Sequence, residues 1–191
     1  MPKSLPNAAK ENTTGNPEQI IKKLIMTLSN DNDSVRKDAR QSLVAIGSPA
    51  VSPLIEALKQ KNDHVRREAV KALSAIGDPG GAPALIKSLE DEEFDIRWLA
   101  AEGLVGLGMD GLKPLLQALI DRGDSPLLLE GAHHVIHDMA KGGLRKYLGP
   151  VLASLEGVGT AVKAPVAASH ALEMMREAKI IWETRGSWAG G

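Results

Sequence analysis

The sequence contains no cysteine, so neither disulfide bonds nor thiolate chemistry can contribute to its stability or function. Aromatic residues make up only 3% of the chain, with one Phe and one Tyr. The hydrophobic content of 43% is therefore mainly Leu, Ile, Val and Ala. This composition favours close packing of helices over a sandwich of sheets.

The sequence also has neither an excess of one charge nor a long apolar segment. Lys and Arg number 23 against 24 Asp and Glu, which leaves a formal net charge of -1. The whole molecule therefore offers no electrostatic attraction to nucleic acid or to an anionic membrane. No apolar run approaches the roughly 18 residues of a membrane span, and residues 1–17 lack the apolar core of a signal peptide. We expect a soluble cytoplasmic protein that does not associate with membranes.

What the chain does have is an internal repeat with a period of about thirty residues. Three segments align without gaps: DSVRKDARQSLVAIG from Asp33, DHVRREAVKALSAIG from Asp63 and FDIRWLAAEGLVGLG from Phe94. In each segment the apolar residues fall on one face of a helix. Each also closes with a glycine, where the C-terminus of a helix takes a left-handed residue: Gly47, Gly77 and Gly108.

A shorter helical pattern precedes each of these segments and keeps the same spacing. It reads LIMTLS from Leu24, LIEALK from Leu54, LIKSLE from Leu85 and LLQALI from Leu115. Polar links join the two patterns, and Asp33 and Asp63 stand where the second helix needs an N-cap. Each repeat is therefore predicted to be a helical hairpin.

The repeats predict the organisation of the whole chain. Residues 1–16 are expected to form a flexible arm, residues 17–178 the repeat array, and residues 179–191 a C-terminal tail. The predicted repeats span 17–47, 48–77, 78–108, 109–141 and 142–178. The last is the least regular, as a terminal repeat that must present a different outer face to water is expected to be.

The recurring pattern P-LI-AL, polar turn, D-VR--A--AL--IG resembles the HEAT-like repeats named after phycobilin lyases. The resemblance implies an all-α fold, a right-handed α–α superhelix of about five helical hairpins. It also implies that the second helices line the concave side, where such proteins bind their partners. The family includes scaffolds, bilin lyases, a di-iron hydroxylase and DNA-binding relatives, so the resemblance does not select a function.

An arginine recurs at the same position of three second helices, each beside an aspartate. The arginines are Arg36, Arg66 and Arg97, and the aspartates are Asp33, Asp63 and Asp95. Such arginines could bind phosphate, or they could hold each turn to its helix through bidentate hydrogen bonds. Recurrence at every repeat favours the structural ladder.

Trp98 and Leu99 interrupt a stripe of the second helices that is charged in the first two repeats. If Trp98 is exposed, it would anchor a partner together with Leu129. If the following repeat covers it, Trp98 would be a core residue. The sequence leaves both alternatives open.

The helical repeats, together with the apolar pair Trp98 and Leu99 on a charged stripe, predict a non-catalytic scaffold or adaptor. Its partner is expected to be another protein or a peptide segment. The expected contacts are Arg67, Lys71, Trp98, Glu102 and His133. No cofactor is expected, and nucleic acid is not an expected partner because acidic residues interleave with the cations. The alternative function is that of a bilin-lyase-like or other HEAT-like enzyme or chaperone subunit.

Three of the five histidines lie in the segment EGAHHVIHDM, residues 130–139. Aligning Leu127 with Ile96 puts His133 at the position of Glu102. The same alignment puts His134 and His137 where the other repeats carry small residues. Packing or surface roles are expected, and no metal is expected, because neither a His-Glu dipeptide nor H-E-x-x-H occurs. The alternative is a metal ion held by His133 and His137, which lie one helical turn apart.

Overall fold

The computed structural model describes residues 16–180, and these residues form ten α-helices and no β-strand. The helices are α1 Pro17–Thr27, α2 Asp33–Ile46, α3 Val51–Ala57, α4 Asp63–Ile76, α5 Ala82–Ser88, α6 Phe94–Gly106, α7 Met109–Arg122, α8 Pro126–Met139, α9 Arg145–Ser154 and α10 Thr160–Glu177. The predicted N-terminal arm and C-terminal tail lie outside the described residues, apart from Asn16, Lys179 and Ile180.

The ends of the helices follow the sequence signals closely. The repeated glycines adopt left-handed backbone angles, with φ of 74° at Gly47, 68° at Gly77 and 59° at Gly108. The N-caps are displaced by one residue from the prediction. Asn32 accepts a hydrogen bond from the Ser34 backbone at 2.9 Å, and Asn62 accepts one from the Val65 backbone at 3.4 Å, so that Asp33 and Asp63 are the first helical residues.

The hairpins stack into an all-α solenoid with two layers of helices. The second helices α2, α4, α6 and α8 pack against one another in order, and α1 packs against α3 and α5 against α7 in the other layer. Leucines from both layers meet between them and are completely buried, among them Leu43, Leu54, Leu85, Leu104 and Leu115. Each hairpin therefore buries its apolar face only by stacking on its neighbours.

The fifth hairpin is inverted relative to the other four. Its first helix, α9, packs against α8, whereas its second helix, α10, packs against α7 and α9. The close approach of α10 to α7 is visible at Gly123, where an added Cβ would lie 2.5 Å from Cγ of Pro165. In the layer formed by the second helices, α8 is thus followed by α9, which is the first helix of its own hairpin.

The repeated arginines form the predicted structural ladder. In each of the first three repeats, Nη1 of the arginine donates hydrogen bonds to two consecutive backbone carbonyl oxygens. These carbonyls lie where the first helix turns into the second. Arg36 donates to Asn30 at 2.7 Å and Asp31 at 2.9 Å, Arg66 to Gln60 at 3.1 Å and Lys61 at 2.8 Å, and Arg97 to Asp91 at 2.9 Å and Glu92 at 3.1 Å. The guanidinium groups therefore satisfy carbonyls that the ends of the first helices and the turns leave unpaired.

The acidic partners of the ladder differ from the prediction in two of the three repeats. Asp33 bonds Arg36 at 3.0 Å as expected. Arg66 instead forms a bidentate pair with Asp91 of the next repeat, at 2.7 and 3.1 Å. Asp95 bonds Arg67 rather than Arg97. The expected pairings assumed contacts within one repeat, whereas the stacking of repeats brings an acidic group closer from the next turn.

The structure also corrects the alignment of α8 with its siblings by one residue. Leu128, not Leu127, occupies the buried place of Ile96, and both Leu128 and Ile96 have no exposed surface. The same shift puts Leu129 where the ladder arginine would be and His134 where α6 has Glu102. The longer connection before α8 adds a residue that the ungapped alignment omitted.

Gly131 makes room for a neighbouring repeat, although not at the position that the alignment assigned to it. An added Cβ would lie 2.9 Å from Cδ2 and 3.1 Å from Cβ of Leu89, a fully buried residue at the end of α5. Ala132, completely buried, is the true equivalent of Ala100. Gly131 therefore allows α8 and the end of α5 to approach closely.

We expect Arg66→Ala to lower the free energy of unfolding by about 3–5 kcal/mol, because it leaves the carboxylate of Asp91 buried without its cationic partner. The Arg66 and Asp91 side chains are only 7% and 11% exposed. Urea denaturation followed by circular dichroism measures the change. Lys59→Ala is the matched control, since its pair with Glu56 is 61% and 68% exposed, and it should cost less than about 1 kcal/mol. Equal losses in the two variants would contradict a ladder role for Arg66.

Replacing two helical glycines by alanine should change stability in opposite directions. Gly106→Ala meets no atom within 4 Å and should stabilise the protein by about 0.5–1 kcal/mol through helix propensity. Gly131→Ala gains the same propensity but pushes into Leu89, and overpacking of this kind costs about 1–3 kcal/mol. Thermal melting of both variants tests the difference, and a Gly131→Ala variant more stable than Gly106→Ala would contradict the close packing.

Candidate functional site around Trp98

Trp98 lies on the surface of α6, and 48% of the residue is exposed to solvent. Phe94, one helical turn earlier, is 60% exposed, and the two ring centroids are 6.4 Å apart. Leu99 turns inward and packs against the core. Of the two alternatives left open by the sequence, the structure selects the exposed one for Trp98, whereas Leu99 is partly buried against the core.

A pocket opens beside Trp98 between α6 and α8, with a volume of about 200 Å³. Its floor is the side chain of Leu89, and Leu127 forms part of the wall on α8. Leu129, which the sequence suggested as a second anchor, packs against the core instead. Gly131 lines the pocket as well, so the glycine that admits Leu89 also shapes this cavity.

His134 supports the indole from the side of α8. The rings of Trp98 and His134 are 4.3 Å apart between centroids, at an interplanar angle of 45°. Nε2 of His134 lies 2.8 Å from Oε1 of Glu102, the residue one turn after Trp98. These contacts join α6 to α8 and support the Trp98 ring, while nearly half of the residue stays exposed.

Charged groups surround the pocket unevenly. Arg97 lies over the Phe94 ring, with its Cζ 5.5 Å from the centroid, and its Nη1 bonds to backbone carbonyls. The side chain of Glu130 is exposed at the rim and forms no hydrogen bond or ion pair with another residue of 16–180. The rim therefore carries one guanidinium and one carboxylate, of which the carboxylate is available to a ligand.

Arg67 and Lys71 occupy the equivalent surface one repeat earlier, but both are engaged within the chain. Arg67 bonds Asp95 and also Asp63, at 3.2 Å for the latter. Lys71 pairs with the buried carboxylate of Glu68 at 2.9 Å. The two cations therefore border the Trp98 surface as part of a neutralised network.

The histidines are distributed differently from the sequence expectation. His133 has a side chain 39% exposed and lies 3.5 Å from Oε1 of Glu156, beyond α9. The side chain of His137 is the most exposed of the three at 63%, so it does not fill a small-residue contact between helices. The rings of His133 and His137 stack with centroids 6.3 Å apart. Of the five contacts predicted from sequence, Trp98 lines the pocket, Glu102 bonds its lining residue His134, and His133 lies toward α9.

Sequence reasoning did not find the pocket residues Phe94, Leu127 and His134. Phe94 carried a usable signal, because it is the single phenylalanine and replaces the aspartate that begins α2 and α4. His134 was hidden by the one-residue error in alignment. With the correct spacing it is the direct equivalent of Glu102, its hydrogen-bond partner.

The pairing of Arg67 with Asp95 predicts how stability responds to acid. The hydrogen bond from Arg67 lowers the pKa of Asp95 below its usual 3.8, outweighing the opposing effect of burial. A lowered carboxyl pKa stabilises the folded state above pH 3.8, and this contribution is lost as the pH falls through the folded pKa. We therefore expect the melting temperature to fall less in Asp95→Asn than in wild type when the pH is lowered below about 4.

Melting followed by circular dichroism across this pH range measures the effect. Asp38→Asn is the matched control, because Asp38 is an exposed aspartate on the second helix of another repeat. It should keep the acid sensitivity of wild type. A parallel decline in all three proteins would show that Asp95 contributes nothing specific.

Comparison with known proteins identifies the architecture. The family model described as HEAT repeats matches residues 21–104 and again residues 51–137, together more than half of the chain. A search of curated protein sequences gave no match. No helix within residues 16–180 combines the length and the apolar character that crossing a membrane requires.

Several solved structures are similar at low sequence identity. The complex of CpcE and CpcF of phycocyanin lyase from Nostoc sp. PCC7120 is 23% identical, with 95% of this chain and 73% of that chain covered and a TM-score of 0.47. A designed armadillo repeat protein in complex with the peptide (KR)4 is 21% identical, covering 83% and 86% of the two chains with a TM-score of 0.42. With ten helices stacked as hairpins within residues 16–180 and two overlapping matches to the family model, the chain belongs to the HEAT repeat family.

Proposed function

We propose that this HEAT repeat protein is a non-catalytic adaptor that binds a peptide segment of another protein at the pocket beside Trp98. The observation that carries the proposal is the exposure of Trp98 and Phe94 on the layer of second helices. Both sit at the mouth of a pocket with a buried leucine floor. Tryptophan is enriched among the few residues that contribute most of the binding energy in protein interfaces.

The partner's chemistry follows from the pocket and its rim. A volume of about 200 Å³ accommodates a single apolar side chain rather than a cofactor or a drug-sized ligand. Glu130 at the rim, with no partner of its own among residues 16–180, would pair with an arginine or lysine next to that side chain. We propose a segment in which an aliphatic or aromatic residue adjoins a basic one.

The five contacts predicted from the sequence have different roles in this proposal. Trp98 provides the anchor surface, and Glu102 holds His134 against it. Arg67 and Lys71 would touch the segment where it extends toward the second repeat, and His133 where it extends toward α9. The concave placement of this layer, implied by the family, would let one extended segment reach all of them.

A bilin-lyase-like activity remains the alternative function. It has no support in the geometry of the Trp98 site, and a shared fold does not carry an activity with it. The pocket is also small for a tetrapyrrole, since ligand clefts of that class are about 300–1,000 Å³.

Selection of a random peptide library displayed on phage tests the proposal directly. The full chain is immobilised, and soluble Trp98→Ala protein in excess removes peptides that bind elsewhere. We expect the selected peptides to carry an apolar residue adjoining arginine or lysine. Their affinity, measured with synthetic peptides by fluorescence anisotropy, should fall at least about tenfold for Trp98→Ala, in keeping with a hot-spot tryptophan.

Two controls separate loss of binding from loss of folding. Trp98→Ala should leave the melting temperature nearly unchanged, because about half of the side chain is already exposed. Val166→Ala removes an apolar side chain that is 69% exposed on α10, away from the site, and should bind the peptides like wild type. Peptides that bind Trp98→Ala as well as wild type, or a selection that yields none, would refute the proposed site.

A further inference from the structure

Glu102, His134 and Asp138 form a cluster next to the peptide site, in which Glu102 and His134 serve only to support Trp98. Glu102 lies on α6, and His134 and Asp138 lie one helical turn apart on α8. One potential ligand atom from each residue lies within 4.8 Å of the other two. Residues from two consecutive repeats thus direct an imidazole nitrogen and two carboxylate oxygens toward a common point.

From this geometry we propose that Glu102, His134 and Asp138 bind a divalent transition-metal ion of the zinc class between the third and fourth repeats. Bonds of about 2.0–2.2 Å to zinc place neighbouring ligand atoms of a tetrahedral site roughly 3.4 Å apart. Nε2 of His134 and Oε1 of Glu102 are already 2.8 Å apart. Rotation of side chains alone therefore converts the cluster into a site with three protein ligands and one position for water.

The surroundings of the cluster hold the ligands in place. The ring of Trp98 packs against His134 and restricts rotation of the imidazole. Nδ1 of His137 lies 3.3 Å from Oδ1 of Asp138, an outer contact of the kind that orients metal-binding carboxylates. Lys141 approaches the same oxygen at 3.6 Å, but its side chain is 73% exposed and is free to turn away into solvent.

The kinds of ligand atom select the metal. One nitrogen and two oxygens suit zinc, cobalt(II), manganese(II) or iron(II), whereas soft copper(I) prefers sulfur ligands and the chain has no cysteine. Bound there, the ion would connect α6 to α8 and add its binding energy to the stability of the folded state. The inference does not depend on peptide binding at the Trp98 pocket.

Titration of the full chain with Co²⁺ and then Zn²⁺ tests the inference. The protein is made without a histidine tag, stripped with a chelator and carries Trp182→Phe and Trp188→Phe, so that Trp98 is the single tryptophan. We expect one Co²⁺ per chain, seen in visible absorption and in quenching of Trp98 fluorescence, with displacement by Zn²⁺. Zinc should also raise the melting temperature.

Variants distinguish this site from the exposed pair of His133 and His137. Glu102→Gln, Asp138→Asn and His134→Ala should each weaken Co²⁺ binding at least tenfold and abolish the zinc-dependent rise in melting temperature. His133→Ala and His170→Ala are matched histidine controls, and both should bind like wild type. Absence of one-to-one binding, or binding that survives Glu102→Gln and Asp138→Asn but is lost in His133→Ala, would overturn the proposal.

Discussion

The hydrogen bonds from one arginine to two backbone carbonyls are the constraint on which the geometry of the first three repeats depends. A helical hairpin leaves carbonyl oxygens unpaired at the end of its first helix and in the turn, and a bulky guanidinium reaches them from the second helix. Because the same two bonds recur in three repeats, the second helix is tied to the turn in the same way in each. The hairpins then stack in series, and the leucines between them meet in a continuous core.

The fourth repeat lacks this arginine and is held in another way. Leu129 stands at the ladder position and packs against the core, while Glu90 of the preceding repeat bonds both Arg122 and Ser125 around the turn before α8. The Trp98 pocket lies at this junction between the third and fourth repeats. Its features are local departures from the repeated pattern: an indole replaces the cation seen at Arg67, and Gly131 replaces a side chain so that Leu89 can form the floor.

The sequence predicted the hairpins, their order, the all-α class and the structural role of the arginines, because these properties repeat and each copy supports the interpretation of the next. It predicted Asp33 as the partner of Arg36, but not Asp91 as the partner of Arg66, since contacts between repeats depend on stacking distances that no local pattern encodes. The one extra residue before α8 moved the assignment of the three histidines on that helix. The same error hid the pairing of His134 with Glu102, which depends on how α6 and α8 pack side by side.

The inversion of the fifth hairpin bears on where a partner can bind. A strictly periodic surface offers a bound segment several equivalent positions, and the segment can shift from one to the next by a whole repeat at little cost in energy. Here α9 ends the series of second helices with a different helix, and Trp98 occurs once along it. A bound segment that shifted by one repeat would therefore meet different side chains. Such a segment would have a single lowest-energy position along the solenoid.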